Sequence, residues 1–149
     1  MNRFFSDLRN IIWFFIPPIL ILIFHSMIAS LDVYINFPWV DIPMHFFGGA
    51  SVAYAYFLTL NYYQKQNYII LNKIFRIVFV ISLVSLTAIS WEFFEFFAKY
   101  VGIKIQGDLP DTMFDLFLGL LGGFITVLFL NYKSLKSFSF KSGLLLKTI

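Results

Sequence analysis

Four segments of this chain are each predominantly apolar over the roughly 20 residues that a helix needs to cross a bilayer, and no other feature constrains its fold as strongly. They run from about Ile11 to Leu31, Pro43 to Tyr63, Lys73 to Phe97 and Thr112 to Tyr132. Of the 149 residues 60% are apolar and 13% charged, where soluble domains carry roughly 25% charged residues. So few charges cannot keep in solution the surface that 21 phenylalanines help to form. An ordinary cytosolic enzyme, a disordered chain and a disulfide scaffold are excluded. Without cysteine there is also no thiolate metal site and no thiol nucleophile. The expected fold is all-α: an integral membrane bundle of four transmembrane helices in a single domain, residues 1–149. Short loops should make neighbouring helices antiparallel, and the tail 133–149 is expected to lie in the interface. Pro17 and Pro18 predict a kink in the first span or a helix start at Pro17. With no clean small-residue cleavage site after it, that span reads as a retained helix and not a signal peptide.

Lysines and arginines in the short loops set the expected orientation. With the N-terminus inside, nine of the eleven basic residues fall on the inner side and only Lys99 and Lys104 outside. The acids divide the other way, with Asp7 alone inside and the other seven in the outer half. The chain is therefore expected in the inner or plasma membrane with both termini cytoplasmic, its basic face toward anionic inner-leaflet lipid. The basic residues form no clustered face for nucleic acid, so no nucleic-acid partner is expected. Trp13, Trp39 and Trp91 read as interfacial belt residues.

The informative residues are ionisable ones a turn or two inside the spans, where such groups are functional candidates by default. Span two opens with Asp41, His45 and Gly49, span four with Asp111, Asp115 and Gly119. Positions i, i+4 and i+8 share one helix face. At the same offset of 70 residues Phe47 matches Phe117, Leu58 matches Leu128, and Leu60-Asn61-Tyr62 matches Leu130-Asn131-Tyr132. His25 aligns with Glu95. Two helix pairs of equal orientation would form a parallel repeat about an axis along the membrane normal. Gly48, Gly49, Ala50 and Ser51 in span two, and Gly119 with Gly123 in span four, allow the two helices to approach closely. Glu92 and Glu95, three residues apart in span three, can face the same neighbour. The expected result is one outward pocket holding Asp41, His45, Glu92, Glu95, Asp111 and Asp115. Carboxylates so gathered must be protonated, paired or bound to a cation, and Lys99 and Lys104 are the only outer basic residues. A divalent metal (Zn, Mn or Fe on a His-carboxylate set, Mg or Ca on an all-oxygen subset) resolves the repulsion. Plainer roles stand beside this one. Asp41 and Asp111 are suitable helix N-caps, Asp32 and Asp108 suit solvated loops, and His25 suits a hydrogen bond to a neighbouring helix.

Taken together, Asp41-x-x-x-His45-Phe46-x-Gly48, Trp91-Glu92-x-x-Glu95-Phe96 and Gln106-Gly107-Asp108-x-x-Asp111-Thr112-x-x-Asp115-Leu116 resemble the YjdF-like family of small bacterial inner-membrane proteins. They are similar, more distantly, to VanZ-like membrane proteins, from whose pattern Asp115 departs. The resemblance spans roughly Asp41 to Gly123 and implies a multi-spanning cell-envelope protein. It assigns no activity.

Three functions fit the sequence. A metal-dependent hydrolase or transferase would act on lipid headgroups or lipid-linked envelope intermediates, with His45, Glu92, Asp115 and Asp111 as metal ligands and Glu95 or Asp41 as general base. A non-catalytic module would use the acids as a structural ion site and bind lipid or a partner. A proton- or cation-coupled transporter subunit ranks below both, because the inner halves of the spans offer no ionisable residue to line a path and an oligomer would be needed to form one.

Overall fold

The computed structural model describes residues 2–101 and 107–145, all helices and connections with no strand among them. Lys104 and Gln106 lie outside the described residues, as does the chain after Leu145. The helices are α1 (Asn2–Phe14), α2 (Ile16–Ser30), α3 (Val33–Asn36), α4 (Asp41–Lys65), α5 (Lys73–Tyr100) and α6 (Leu109–Leu145), with a short 3₁₀ turn over Pro38–Val40.

The adjacent prolines break the first apolar segment into two helices. Pro17 and Pro18 occupy the first turn of α2, where a missing N–H costs little, and α1 and α2 meet at Phe15 with a bend of 45°. Helix α5 starts where the Asn72 side chain accepts from the Phe75 N–H at 2.9 Å. Helix α6 starts behind Asp108, whose Oδ1 accepts from the Asp111 N–H at 3.2 Å. Two stretches, Lys73–Tyr100 and Leu109–Lys133, are by themselves long and apolar enough to cross a membrane, and the bent α1–α2 pair qualifies as a third. Helix α4 has comparable length, 25 residues, but its glycines, alanines, tyrosines and polar ends dilute its hydropathy. The C-terminal segment that the sequence assigns to the interface continues α6 as helix through Leu145.

Helix α4 is the centre of the bundle and packs most extensively on α6, then on α2 and α5. Backbone contact drives the α4–α6 pairing. A Cβ added to Gly49 would fall on the Gly119 carbonyl, and one added to Gly122 would fall on the Phe46 carbonyl. Only glycine permits this approach, the usual means of close helix association in a membrane. Below it Ala53, Phe57, Val80, Val84 and Val127 form a buried core shared by α4, α5 and α6. The equivalents read from the 70-residue offset meet one another: Gly49 abuts Gly119, His45 faces Asp115, and Asn61 and Asn131 share one partner, Arg76. Contact between equivalents at both ends makes α4 and α6 parallel. At the end of α4 away from His45, α1 is tied to α4 by the Tyr62 hydroxyl, which donates to Asp7.

Gly49→Ala should lower unfolding stability in detergent by about 2 kcal/mol through backbone overpacking. Gly48→Ala, one residue away, should be neutral or stabilising by up to about 1 kcal/mol, because its Cβ would meet nothing within 4 Å. Thermal unfolding of the two variants in parallel checks the pair.

Candidate functional site

The acidic pocket is built around one imidazole. His45, one turn into α4, has Asp41 Oδ1 at 3.4 Å and Asp115 Oδ2 at 3.7 Å from its Nε2, and Glu92 Oε1 at 4.0 Å from its Nδ1. Three helices thus place carboxylates around both ring nitrogens. Glu92, Glu95 and Asp115 are 7%, 4% and 4% exposed, and Glu92 Oε2 is buried without a hydrogen-bond partner. Two sets, Asp41-His45-Asp115 and His45-Glu92-Glu95, each bring their donor atoms within 4.8 Å of one another. Donors about 2.0–2.2 Å from a common ion lie about 3.0–4.4 Å apart. The Nε2 separations from Asp41 and Asp115 already fall in that range. Glu95 is held differently, because the Trp91 indole N–H donates to its Oε1 at 2.8 Å.

No lysine or arginine reaches this cluster among the described residues. Lys99, an outer cation read from the sequence, donates instead to the Gly107 carbonyl at 3.0 Å. His45 can neutralise at most one carboxylate, so the remaining charge needs protons or a cation.

The structure brings together five of the six expected site residues and leaves one apart. Asp111 is exposed on the first turn of α6 and belongs to neither donor set. Its expected capping role belongs to Asp108, expected to be a mere loop charge. Asp41 makes no side-chain cap and turns toward His45. Asp32 is exposed, with a left-handed backbone at φ 55°. His25 bonds to the Tyr34 hydroxyl at 2.7 Å, and burial raises the pKa of that hydroxyl, which stays protonated. Trp91 is no simple belt residue. Its indole meets the His25 ring edge-on at 5.0 Å while bonding Glu95, so both members of the aligned His25–Glu95 pair converge on it. Trp13 and Trp39 are exposed, as belt residues should be.

A family model described as a predicted membrane protein (DUF2238) matches residues 8–135, which include every residue of this cluster. The chain belongs to that family. No curated protein and no solved structure matches it.

A second buried polar centre lies at the other end of the same helices and was not expected. Arg76 is 9% exposed; its Nη1 donates to Asn61 Oδ1 at 2.6 Å, its Nη2 donates to Asn131 Oδ1, and its guanidinium carbon lies 4.8 Å from the Phe57 ring centroid. The expectation that the inner halves of the spans hold no inward ionisable residue is therefore corrected. In the sequence Arg76 is one of the nine basic residues read as inner loop charges, yet the repeated Leu-Asn-Tyr triplet is a signal that two asparagines meet there. The sixteen residues between Glu92 and Arg76 on α5 correspond to about 24 Å, and the apolar core of Phe57, Val80, Val84 and Val127 fills that interval. The two centres do not form a continuous polar path among the described residues.

Beside the acidic cluster a cavity of about 330 Å³ runs between α2, α4 and α5, with His45 and Asp115 at its polar end.

Asn131→Leu should leave a buried guanidinium donor unsatisfied and cost about 2 kcal/mol of stability. Asn131→Asp retains the acceptor and adds a counter-charge, so it should stay within about 1 kcal/mol of wild type. Unfolding in detergent distinguishes the two; equal losses would show that the amide fills space and is not an acceptor for Arg76.

Proposed function

We propose that the chain is a four-span envelope membrane protein, both termini cytoplasmic, that binds a divalent cation at its outward end and there hydrolyses or transfers a group on a lipid headgroup or lipid-linked intermediate. The distribution of basic and acidic residues supports the orientation, and the length of α4 supports a fourth crossing. The similarity of the acidic motifs to YjdF-like and VanZ-like proteins supports a role in the envelope.

The observation that carries the proposal is the placement of carboxylates from separate helices about both nitrogens of His45. Asp41, His45 through Nε2, and Asp115 would be the ligands. Glu92, on the Nδ1 side, is placed to orient the imidazole as carboxylates do behind metal-bound histidines. This reassigns Glu92 from ligand to support and leaves Asp111 out of the ligand set. Three protein ligands leave room for water or substrate, the arrangement of catalytic and not of closed structural sites. A cation there would polarise a phosphoryl or acyl oxygen and activate a bound water. Glu95, fixed by Trp91, is the carboxylate best placed outside the ligand set to take a proton.

Purified protein should carry about one divalent ion per chain by elemental analysis and titration calorimetry with Zn²⁺ and Mn²⁺. His45→Ala and Asp115→Asn should weaken binding by about 100-fold or more, and a ligand present at about 100 times its Kd should stabilise the fold by about 2.7 kcal/mol. A metal-free protein whose melting temperature ignores both chelator and added cation would refute the cation centre. Glu95→Gln should retain the ion and lose turnover of a headgroup-labelled phospholipid. If it changes only stability, the site is a structural ion site.

A further inference from the structure

The cavity beside the cluster has the form of a slot for one hydrocarbon chain. Its back wall is the small-residue face of α4 and α6, including Gly48, Gly49 and Gly119. Leu22 on α2 and Val84 on α5 form part of its flanks. Helices α2 and α5 both pack on α4 but barely on each other, so the slot opens sideways between them toward lipid. The His25–Trp91 contact bridges the two helices at the polar end. The Tyr56 ring lines the far end, where it meets Phe15 edge-on at 5.7 Å and bonds Thr87 at 3.1 Å. From His45 to Tyr56 is eleven residues of α4, about 16 Å at 1.5 Å per residue. One leaflet of hydrocarbon is about 15 Å deep.

An almost wholly apolar slot, one leaflet deep, open to the bilayer and ending at an imidazole and a carboxylate, matches a membrane lipid in both shape and polarity. We propose that it holds one acyl chain of a bilayer glycerophospholipid, inserted between α2 and α5, with the headgroup phosphate at the His45–Asp115 edge. Placement of the headgroup rests on the cation-site reading above; the chain site stands on the slot alone. A long polyisoprenoid would exceed that depth, which favours an acyl chain.

Gly48 supplies the test. A Cβ there would meet nothing within 4 Å, and Gly48 lines the slot, so a larger side chain has room to grow into it. Full-length protein in phosphatidylethanolamine–phosphatidylglycerol vesicles is photolabelled with phosphatidylethanolamine carrying a diazirine on one acyl chain, and adducts are mapped by mass spectrometry. Adducts should concentrate on Leu22, Val52 and Ala88. Gly48→Leu should reduce them by about tenfold, the factor expected for displacing about two buried methylenes, while adducts on exposed Phe129 stay constant. Leu22→Trp, which fills the slot from α2, serves should Gly48→Leu fail to fold. Uniform labelling of all apolar faces, or slot adducts unchanged in a folded filling variant, would overturn the proposal. So would preferential labelling by a diazirine-tagged polyprenyl phosphate. Labelling should persist in chelator, so loss of the cation centre and loss of the chain site give different results. Adducts that vanish with chelator would overturn a chain site that stands alone.

Discussion

The backbone contact between α4 and α6 holds the rest of the molecule in place. In lipid there is little hydrophobic gain from pressing apolar helices together, so association depends on close packing and on polar contacts between helices. Gly49 against Gly119, and Gly122 against the Phe46 carbonyl, supply the packing. One turn toward the helix starts, the same approach brings His45 to Asp115. About three turns toward the helix ends, it brings Asn61 and Asn131 to Arg76. Polar groups are expensive to insert in a bilayer. Here they sit at the two ends of a dry core, where helix contact can satisfy or concentrate them.

The two polar ends are chemically unlike. At one, a single positive group donates to two neutral acceptors and lies over a ring face, while its Nε is buried without a hydrogen-bond partner. At the other, carboxylates outnumber their basic partner and one buried carboxylate oxygen has no hydrogen bond. The first end holds one cation between amide acceptors from α4 and α6 and so ties those two helices together. The second is out of balance, and an excess of buried negative charge is what a cation or a proton relieves. That difference in sign supports the proposal of a cation site at the His45 end.

Much of this was legible in the sequence because repetition and spacing carry three-dimensional information in helices. The all-helical class follows from apolar segments of membrane length, and the convergence of Asp41, His45 and Asp115 follows from i, i+4 spacing on two matched helices. Glu92 and Glu95 follow from their spacing of three on one helix. Other features depended on which of two equivalent local options the tertiary contacts select. Asp41, Asp108 and Asp111 are all competent caps, and only the path of the 107–109 connection makes Asp108 the one used for α6. Trp91 at a membrane edge looks like any belt tryptophan until α2 lays His25 against it. Arg76 at a span's start looks like a loop charge until α4 and α6 close over it.

Because the chain has no cysteine, the central contact can be measured directly with engineered pairs in the native membrane. His45→Cys with Asp115→Cys should be bridged within one chain by a short bifunctional thiol reagent, quickly and nearly completely. Phe47→Cys with Phe117→Cys, a second matched pair at the same depth but exposed, should react singly without bridging. Failure of the first pair to bridge, or equal bridging of the second, would contradict a shared compartment around His45.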